Sequence, residues 1–234
     1  MMRAGTLQRV MERPMTTAAN AKLSEVKTLV WISAALLLAI LASIAAIDRP
    51  LALFIENQLP AAARLAGNFT TGLEWIFAFD LSKYLYAFVL LLIGAALHAY
   101  ERSAGRAGNW YFVGGTLLLS RVISGTLKNV FERARPFEWI KSRTPADFFV
   151  DGGSSFPSGH AAFYFGLFLP LALLFPRWKW PLIGFAFLAS LARVFELDHY
   201  LSDILASAFV AVLLAFLLAK AFRIEPHAPT TTPL

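Results

Sequence analysis

The residues best suited to nucleophilic chemistry lie toward the C-terminal end of the chain: Arg193, His199 and Asp203. His199 and Asp203 are four residues apart, so they share one face of a helix that begins there. A carboxylate beside an imidazole fixes the tautomer of the ring and stabilises its cationic form, which makes the histidine a competent nucleophile. By itself the pair is also compatible with a structural contact that caps a loop.

Residues 155–160 form a second polar group, directly before an apolar run. Pro157 suits the first turn of a helix, and a helix N-terminus offers free N–H groups and a positive dipole end to an anion. Gly159 permits close backbone approach, Ser158 adds a hydroxyl donor, and His160 can exchange a proton near neutral pH. The simpler alternative is a turn with an incidental histidine.

A third group places Lys128 and Arg135 seven residues apart, just before Pro136. If the preceding helix continues, both cations lie on one face, and Pro136 then ends the helix. A planar guanidinium suits phosphate oxygens, and lysine adds a point charge. The alternative is a pair of cations that reach toward the membrane surface from a helix end.

Together the three groups supply three cations, a helix N-terminus and two histidines, one of them backed by a carboxylate. Cations and N–H groups can hold three phosphoryl oxygens and stabilise the charge of a transition state. One histidine can attack phosphorus while the other protonates the departing alkoxide. This inventory is typical of phosphoryl transfer through a covalent intermediate. It needs no metal, so we expect neither a metal site nor a cofactor.

Six apolar segments must position these groups. The chain is 58% hydrophobic and 15% charged, with a mean hydropathy of +0.60, whereas soluble domains are about 45–50% apolar and about 25% charged. Most of the segments approach the length of about 20 residues that spans a bilayer, where backbone groups must be satisfied within helices. We therefore expect an all-α membrane protein with six transmembrane helices. A soluble helical protein is disfavoured, because nearly every segment lacks a polar face. The segments are Leu29–Ile47, Tyr84–Tyr100, Trp110–Leu127, Ala161–Phe175, Pro181–Leu197 and Ile204–Ala221.

Charge and cysteine content limit the partners. The chain has no cysteine, which excludes disulfides and thiolate metal sites. Its net charge is +6, but the basic residues flank apolar runs, so the expected partner is the bilayer and not nucleic acid. The sequence does not indicate an oligomeric state.

Lysine and arginine near the helix ends predict the orientation. They precede the first helix and follow the second, fourth and sixth, all on one side of a six-helix serpentine. We expect that side, with both termini, to be cytoplasmic, and the three polar groups to face outward from the inner membrane. The residues are Arg3, Arg9, Arg13, Lys22, Lys27, Arg102, Arg106, Arg177, Lys179, Lys220 and Arg223. Basic residues on the opposite side weaken the bias: Arg133, Arg135, Lys141 and Arg143.

We divide the chain into a basic cytoplasmic segment, residues 1–28, a six-helix domain, residues 29–222, and a flexible tail, residues 223–234. Between the first two long helices, residues 49–83 are predicted to form one or two short interfacial helices. A cleaved signal peptide is the alternative for the first apolar run, but the long basic leader favours an uncleaved anchor.

The three groups in order resemble the three-part signature of the type 2 phosphatidic acid phosphatase superfamily. The resemblance covers residues 128–203 in its motifs and most of the chain in its six-helix topology. It implies a metal-independent phosphatase with a helical membrane fold. By motif position, His199 is the nucleophile, Asp203 its orienting partner, and His160 the general acid and later the base that activates water. The residues implied to bind phosphate are Lys128, Arg135, Ser158, Gly159 and Arg193.

The third motif departs from the family pattern. Ala192 stands where a serine usually precedes Arg193, so one hydroxyl donor is in question. Glu196 and Asp198 stand where small or apolar residues are usual. Asp198 can raise the pKa of His199, repel a substrate anion, or pair with Arg133 or Arg193.

One further cation lies deeper in the third long helix. Arg121 precedes Lys128 by seven residues and shares its face. We expect it to pair with Glu196 or another acid.

The expected function is hydrolysis of a lipid phosphomonoester or diphosphate through a phosphohistidine, at the outer, periplasmic face. The alternative is a lipid phosphotransferase that uses a lipid hydroxyl as acceptor; an anion transporter or a vanadate-dependent oxidase fits less well. Candidate substrates are phosphatidic acid, phosphatidylglycerol phosphate, polyprenyl diphosphate and a lipid A phosphate. The basic residues Arg133, Lys141 and Arg143 hint at a polyanionic headgroup, and the loop 137–156 is expected to help select it.

Overall fold

The computed structural model describes residues 24–79, 81–101, 104–142, 149 and 152–224. The chain divides into two compact units, Met1–Ala35 and Leu36–Leu234. In the first unit, the described residues 24–35 are helical. Several predicted features lie outside the described residues: Arg3, Arg9, Arg13, Lys22, Arg102, Arg143 and most of the tail.

The second unit is built from helices. It begins with helical residues that include a π-helical segment, Ser43–Ile47. In the described residues eight α-helices follow: α1 (Asp48–Gln58), α2 (Pro60–Ile76), α3 (Leu85–Glu101), α4 (Ala104–Phe131), α5 (Pro136–Ser142), α6 (Gly159–Leu174), α7 (Lys179–Phe195) and α8 (Leu201–Ala221). No strand occurs in the described part of the chain, so the all-α prediction is confirmed.

Each of the six apolar segments contains most of one long helix. Two helical stretches, Ser24–Gln58 and Leu201–Ala221, are long and apolar enough to cross a membrane. Two shorter apolar helices are Leu85–Tyr100 and Gly159–Leu174. The count of six spans therefore stays a prediction.

Helix α6 forms the centre of the second unit, because it packs against α4, α7 and α8. Its side chains from Ala161 to Leu167 are buried around the whole circumference. Gly166 allows the close approach of α4, since a Cβ there would lie 3.0 Å from the Cβ of Ser120. The N-terminus of α6 is thus fixed by packing on three sides.

The region between the first two apolar segments contains α1, which continues the helical stretch Ser24–Gln58, and α2, which has 17 residues. The region is helical as predicted, and its interfacial position stays a prediction. Pro60 starts α2, where the missing N–H costs no helical hydrogen bond. Helix α2 packs against α7, which brings the end of α2 to the candidate site.

Three details of the predicted helices are wrong. Helix α4 ends at Phe131, and Glu132 has a left-handed φ of 43°, so Lys128 and Arg135 do not share a helical face. Pro136 begins the short helix α5 instead of ending α4. His199 precedes α8, of which Asp203 is the third residue.

Backbone hydrogen bonds join the three connectors that carry the polar groups. Ser155 N–H donates to Arg133 O at 2.8 Å, Phe137 N–H to Leu197 O at 3.1 Å, and Ser158 N–H to Asp203 O at 3.1 Å. Main-chain hydrogen bonds therefore hold the three motifs together, in addition to the contacts of their side chains.

Candidate active site

His199 lies in the turn between α7 and α8 and is only 2% exposed. Its Nδ1 is 3.4 Å from Asp203 Oδ2 and 3.5 Å from Ser155 Oγ. Ser155 in turn donates its hydroxyl to Asp203 Oδ2 at 2.5 Å. Burial lowers the pKa of His199 to about 4, so the ring is neutral near pH 7 and Nε2 keeps its lone pair if Nδ1 carries the proton.

Asp203 is fully buried and is held from several directions. The Tyr200 N–H donates to its Oδ2 at 2.8 Å, and Arg133 donates to its Oδ1. Arg133 also binds Asp48 Oδ2 at 2.7 Å. Asp203 is therefore fixed both against His199 and against a buried arginine.

The contacts of Arg133 differ from those that the sequence suggested. Its side chain is 0% exposed and pairs with Asp48 and Asp203. The predictions that Arg133 pairs with Asp198 or reads a headgroup are wrong, because the side chain is buried and its Nη1 and Nη2 donate to acceptors inside the protein.

Two arginines converge on Asp198. Arg135 donates to Asp198 Oδ1, and Arg193, in the last turn of α7, donates to Asp198 Oδ2. Asp198 Oδ2 is also 3.9 Å from His199 Nε2. Burial raises the pKa of Asp198, but the charges of His199, Arg193 and Arg135 outweigh it and hold that pKa below its usual value. The pairing of Asp198 with Arg193 was one of the alternatives that the sequence suggested.

Arg193 meets two further carboxylates. Its Nη1 is 2.9 Å from Glu196 Oε2 and 3.4 Å from Glu74 Oε1. The side chain of Arg193 is only 8% exposed, and three carboxylates surround its guanidinium group.

Lys128 lies beside the N-terminus of α6. Lys128 donates to Ser154 O, and Arg135 Nη2 donates to Ser154 Oγ at 3.4 Å. A Cβ on Gly159 would lie 3.8 Å from Lys128 Cε, so the lysine stem passes close to the start of α6.

Ser158 caps α6. Its hydroxyl oxygen accepts a hydrogen bond from Ala161 N–H at 3.3 Å, and its side chain is buried. The Ala162 N–H bonds to Ser158 O, which leaves the amides of Gly159 and His160 without a helical acceptor. The capping role explains the serine, and a phosphate contact stays a prediction.

His160 is held by a residue that the sequence analysis missed. Its Nε2 lies 2.8 Å from Glu74 Oε1 at the end of α2, and its ring stacks on Phe79 at 4.8 Å between centroids. Contact with His160 lowers the pKa of Glu74, so Glu74 is a carboxylate at neutral pH. The available signal was that Glu74 is the only acid in residues 59–79.

Arg121 braces the same helix terminus and, among the described residues, does so through a backbone carbonyl and not through an acid. It donates to Gly159 O, and its guanidinium carbon lies 5.7 Å from the centre of the Phe79 ring. Glu196 binds Arg193 instead. The predicted pairing of Arg121 with Glu196 is therefore wrong.

All eight predicted site residues belong to one connected cluster. Asp198 joins Arg135 and Arg193, Glu74 joins Arg193 to His160, and Ser154 joins Arg135 to Lys128. Within the described residues, no group of three or more His, Cys, Asp or Glu side chains is arranged to hold a metal ion. The structure thus provides cations, a histidine whose Nε2 faces Asp198, and a second histidine at a helix N-terminus.

Comparison with known proteins gives this cluster a class. Residues 109–225 match the family model of the PAP2 superfamily, which is half of the chain, and the chain belongs to this superfamily. It is 29% identical to a lipid A 1-phosphatase of Rhizobium johnstonii over 217 residues, which cover 84% of this chain and 83% of the relative.

Two other relatives are undecaprenyl-diphosphatases. An undecaprenyl-diphosphatase of Bacillus subtilis is 29% identical, over 62% of this chain and 72% of the relative. An undecaprenyl-diphosphatase of Sulfolobus acidocaldarius is 31% identical, over 58% of this chain and 65% of the relative. No solved structure matches the chain. With this family and these relatives, the chain is a phosphatase.

Proposed function

We propose that this protein is a membrane-embedded lipid phosphatase that works through a phosphohistidine at His199. The observation that carries the proposal is that Arg135 and Arg193 meet at the carboxylate of Asp198, whose Oδ2 lies 3.9 Å from His199 Nε2, while Nδ1 of the same ring faces Asp203. A phosphoryl group at that point would be held by two guanidinium groups and face the attacking nitrogen.

In the first step, His199 Nε2 attacks phosphorus, the N–P bond forms and the bond from phosphorus to the lipid oxygen breaks. His160 donates a proton to the departing oxygen. Asp203 stabilises the positive charge that develops on the His199 ring. Arg135, Arg193 and Lys128 balance the charge of the transferring group.

In the second step, His160 takes a proton from water, and the hydroxide oxygen attacks the phosphohistidine. The N–P bond breaks, His199 returns to its neutral form and inorganic phosphate leaves. Glu74 holds His160 through both steps, since its carboxylate lies 2.8 Å from the ring nitrogen. All of these steps use side chains of this chain alone, so the proposal includes independence from metal ions and cofactors.

The substrate that we propose first is a lipid A-type 1-phosphate, and polyprenyl diphosphate is second. The support is the match to a lipid A 1-phosphatase along 84% of the chain, against 62% for the undecaprenyl-diphosphatase of Bacillus subtilis. Both named substrates place a phosphate at the head of a long apolar lipid.

The membrane arrangement that we propose has six spans, with both termini cytoplasmic and the site at the periplasmic face of the inner membrane. The domain division into residues 1–28, 29–222 and 223–234 belongs to the same proposal. Support comes from the six apolar segments and from the basic residues that flank them on one side.

A phosphate-release panel tests the activity. The purified protein is given lipid A, polyprenyl diphosphate, phosphatidic acid and phosphatidylglycerol phosphate, each with excess EDTA. We expect release from at least one lipid, highest for lipid A, and loss of release by roughly 10⁴-fold or more in His199→Ala. Full activity of His199→Ala would contradict the nucleophile, and loss in EDTA that Mg²⁺ restores would contradict metal independence.

A further inference from the structure

Asp198 binds Arg135 and Arg193, the two arginines that hold the substrate phosphoryl group in the proposed mechanism. Its Oδ1 accepts from Arg135 and its Oδ2 from Arg193, and Oδ2 is 3.9 Å from His199 Nε2. Two oxygens of a phosphoryl group would use the same two donors and the same approach to the histidine. The carboxylate and the phosphate therefore compete for one position.

The backbone holds Asp198 at this point. Leu197 has a left-handed φ of 62°, and the N–H groups of Asp198 and His199 both donate to Arg193 O at 3.1 Å. This tight turn directs the side chain back toward Arg193. The side chain is 13% exposed, so it lies at the site and is not part of the buried core.

We propose that the Asp198 carboxylate is an internal substitute for the substrate phosphoryl group, which holds Arg135 and Arg193 in place until a phosphate displaces it. The inference rests on the proposed function. It makes Asp198 a specificity-determining residue, because only a group with more negative charge than one carboxylate gains by the exchange. It also favours release of the product phosphate, since the carboxylate can return to both arginines.

Binding of inorganic phosphate, measured by calorimetry on the purified full chain, tests this directly. Asp198→Asn keeps the size of the side chain but removes the competing charge. We expect its phosphate affinity to rise roughly tenfold, with a lower kcat because product release slows.

Glu196→Gln is the matched control. Glu196 also binds Arg193, at 2.9 Å, and the substitution removes the same charge. In the described part of the chain Glu196 makes no ion pair or hydrogen bond with Arg135 or His199, so we expect the phosphate affinity of Glu196→Gln to change less than about twofold. Repeating both measurements at high salt separates local displacement from general charge effects, because ions screen charges beyond about 8 Å even at 0.15 M.

Each outcome decides the matter. Unchanged or weaker phosphate binding by a folded Asp198→Asn protein would mean that the carboxylate stays beside bound phosphate, which overturns the inference but leaves the proposed function standing. An equal gain in Glu196→Gln would also overturn it. If Asp198→Asn does not fold, Asp198→Ser takes its place. Failure of both variants to fold would show that the fold needs this carboxylate, which would overturn the inference. Absence of phosphate binding in the wild-type protein and the variants would overturn the proposed function together with the inference.

Discussion

At the scale of single residues, the two ring nitrogens of His199 have unlike surroundings. Nδ1 faces Asp203 and Ser155, whereas Nε2 faces Asp198 and the two arginines that hold it. Burial favours the neutral ring, and a neutral ring with its proton toward a carboxylate is the form that attacks.

This environment predicts a pH dependence. The pKa of His199 is lowered to about 4, so the ring is unprotonated above that pH and gains a proton only as the pH falls through it. We expect the acid limb of kcat/KM to lie near pH 4, well below the usual histidine value of about 6.5. The measurement is made with a lipid monophosphate and a lipid diphosphate, because a limb that belongs to the enzyme is shared by both. A shared limb at or above pH 6.5 would contradict the prediction.

The local chemistry of the site could be predicted from the sequence, because each motif carries its own signal. Histidine beside an acid, glycine and serine at a helix start, and arginine before proline are short-range patterns. Asp48 and Arg133 carry no such pattern, since they are 85 positions apart. Their pairing depends on the packed structure, and the sequence therefore suggested an exposed role for Arg133.

At the scale of elements, the candidate site depends on helix ends that meet. The connectors after α4, before α6 and before α8 are joined by main-chain hydrogen bonds. The apolar runs predicted the helices well, because their length and composition leave few alternatives. The sequence did not predict that α4 ends at Phe131. The residue with the left-handed φ there is Glu132, and glutamate rarely adopts that conformation, so its presence does not indicate a turn.

Arg133, which follows α4, links helices α1 and α8. It binds Asp48 at the start of α1 and Asp203 in the first turn of α8, and all three side chains are buried. Replacing it with methionine leaves two buried carboxylates without their cation, so we expect the free energy of unfolding to fall by about 3–5 kcal/mol.

Thermal or denaturant unfolding in a fixed detergent measures this loss. The control is Lys141→Met, which removes a charge from an exposed side chain at the end of α5 and is expected to change stability by less than about 0.5 kcal/mol. An Arg133→Met protein as stable as the wild type would show that the buried pairs contribute nothing net.

At the scale of the whole molecule, the proposed arrangement places the site and the basic helix ends on opposite sides of a membrane. Two helical stretches, Ser24–Gln58 and Leu201–Ala221, are long and apolar enough to cross by themselves. The other long helices are shorter or less apolar, which is why the six-span arrangement rests on the sequence pattern and needs a direct test.

The absence of cysteine from the sequence makes that test simple. Single cysteines are introduced in place of Ser154, beside the candidate site, and of Arg177, between α6 and α7. In intact cells we expect a membrane-impermeant maleimide to label the first and not the second, and to label both once the membrane is opened. Labelling of position 177 in intact cells would contradict the proposed orientation.

The central claim is a covalent phosphate on His199 Nε2, and the most direct measurement is to trap it. The protein is mixed with a substrate labelled in its phosphate, quenched in alkali within the first turnover, digested and analysed by mass spectrometry. We expect one phosphorylated peptide, with the label on His199 and stable in alkali, as a phosphoramidate is. We expect no label in His199→Ala. In His160→Ala we expect a label that forms more slowly, because the departing oxygen is not protonated, and that then persists, because water is not activated. Label on another residue, or turnover in the wild-type protein with no trapped label at any quench time, would contradict the account.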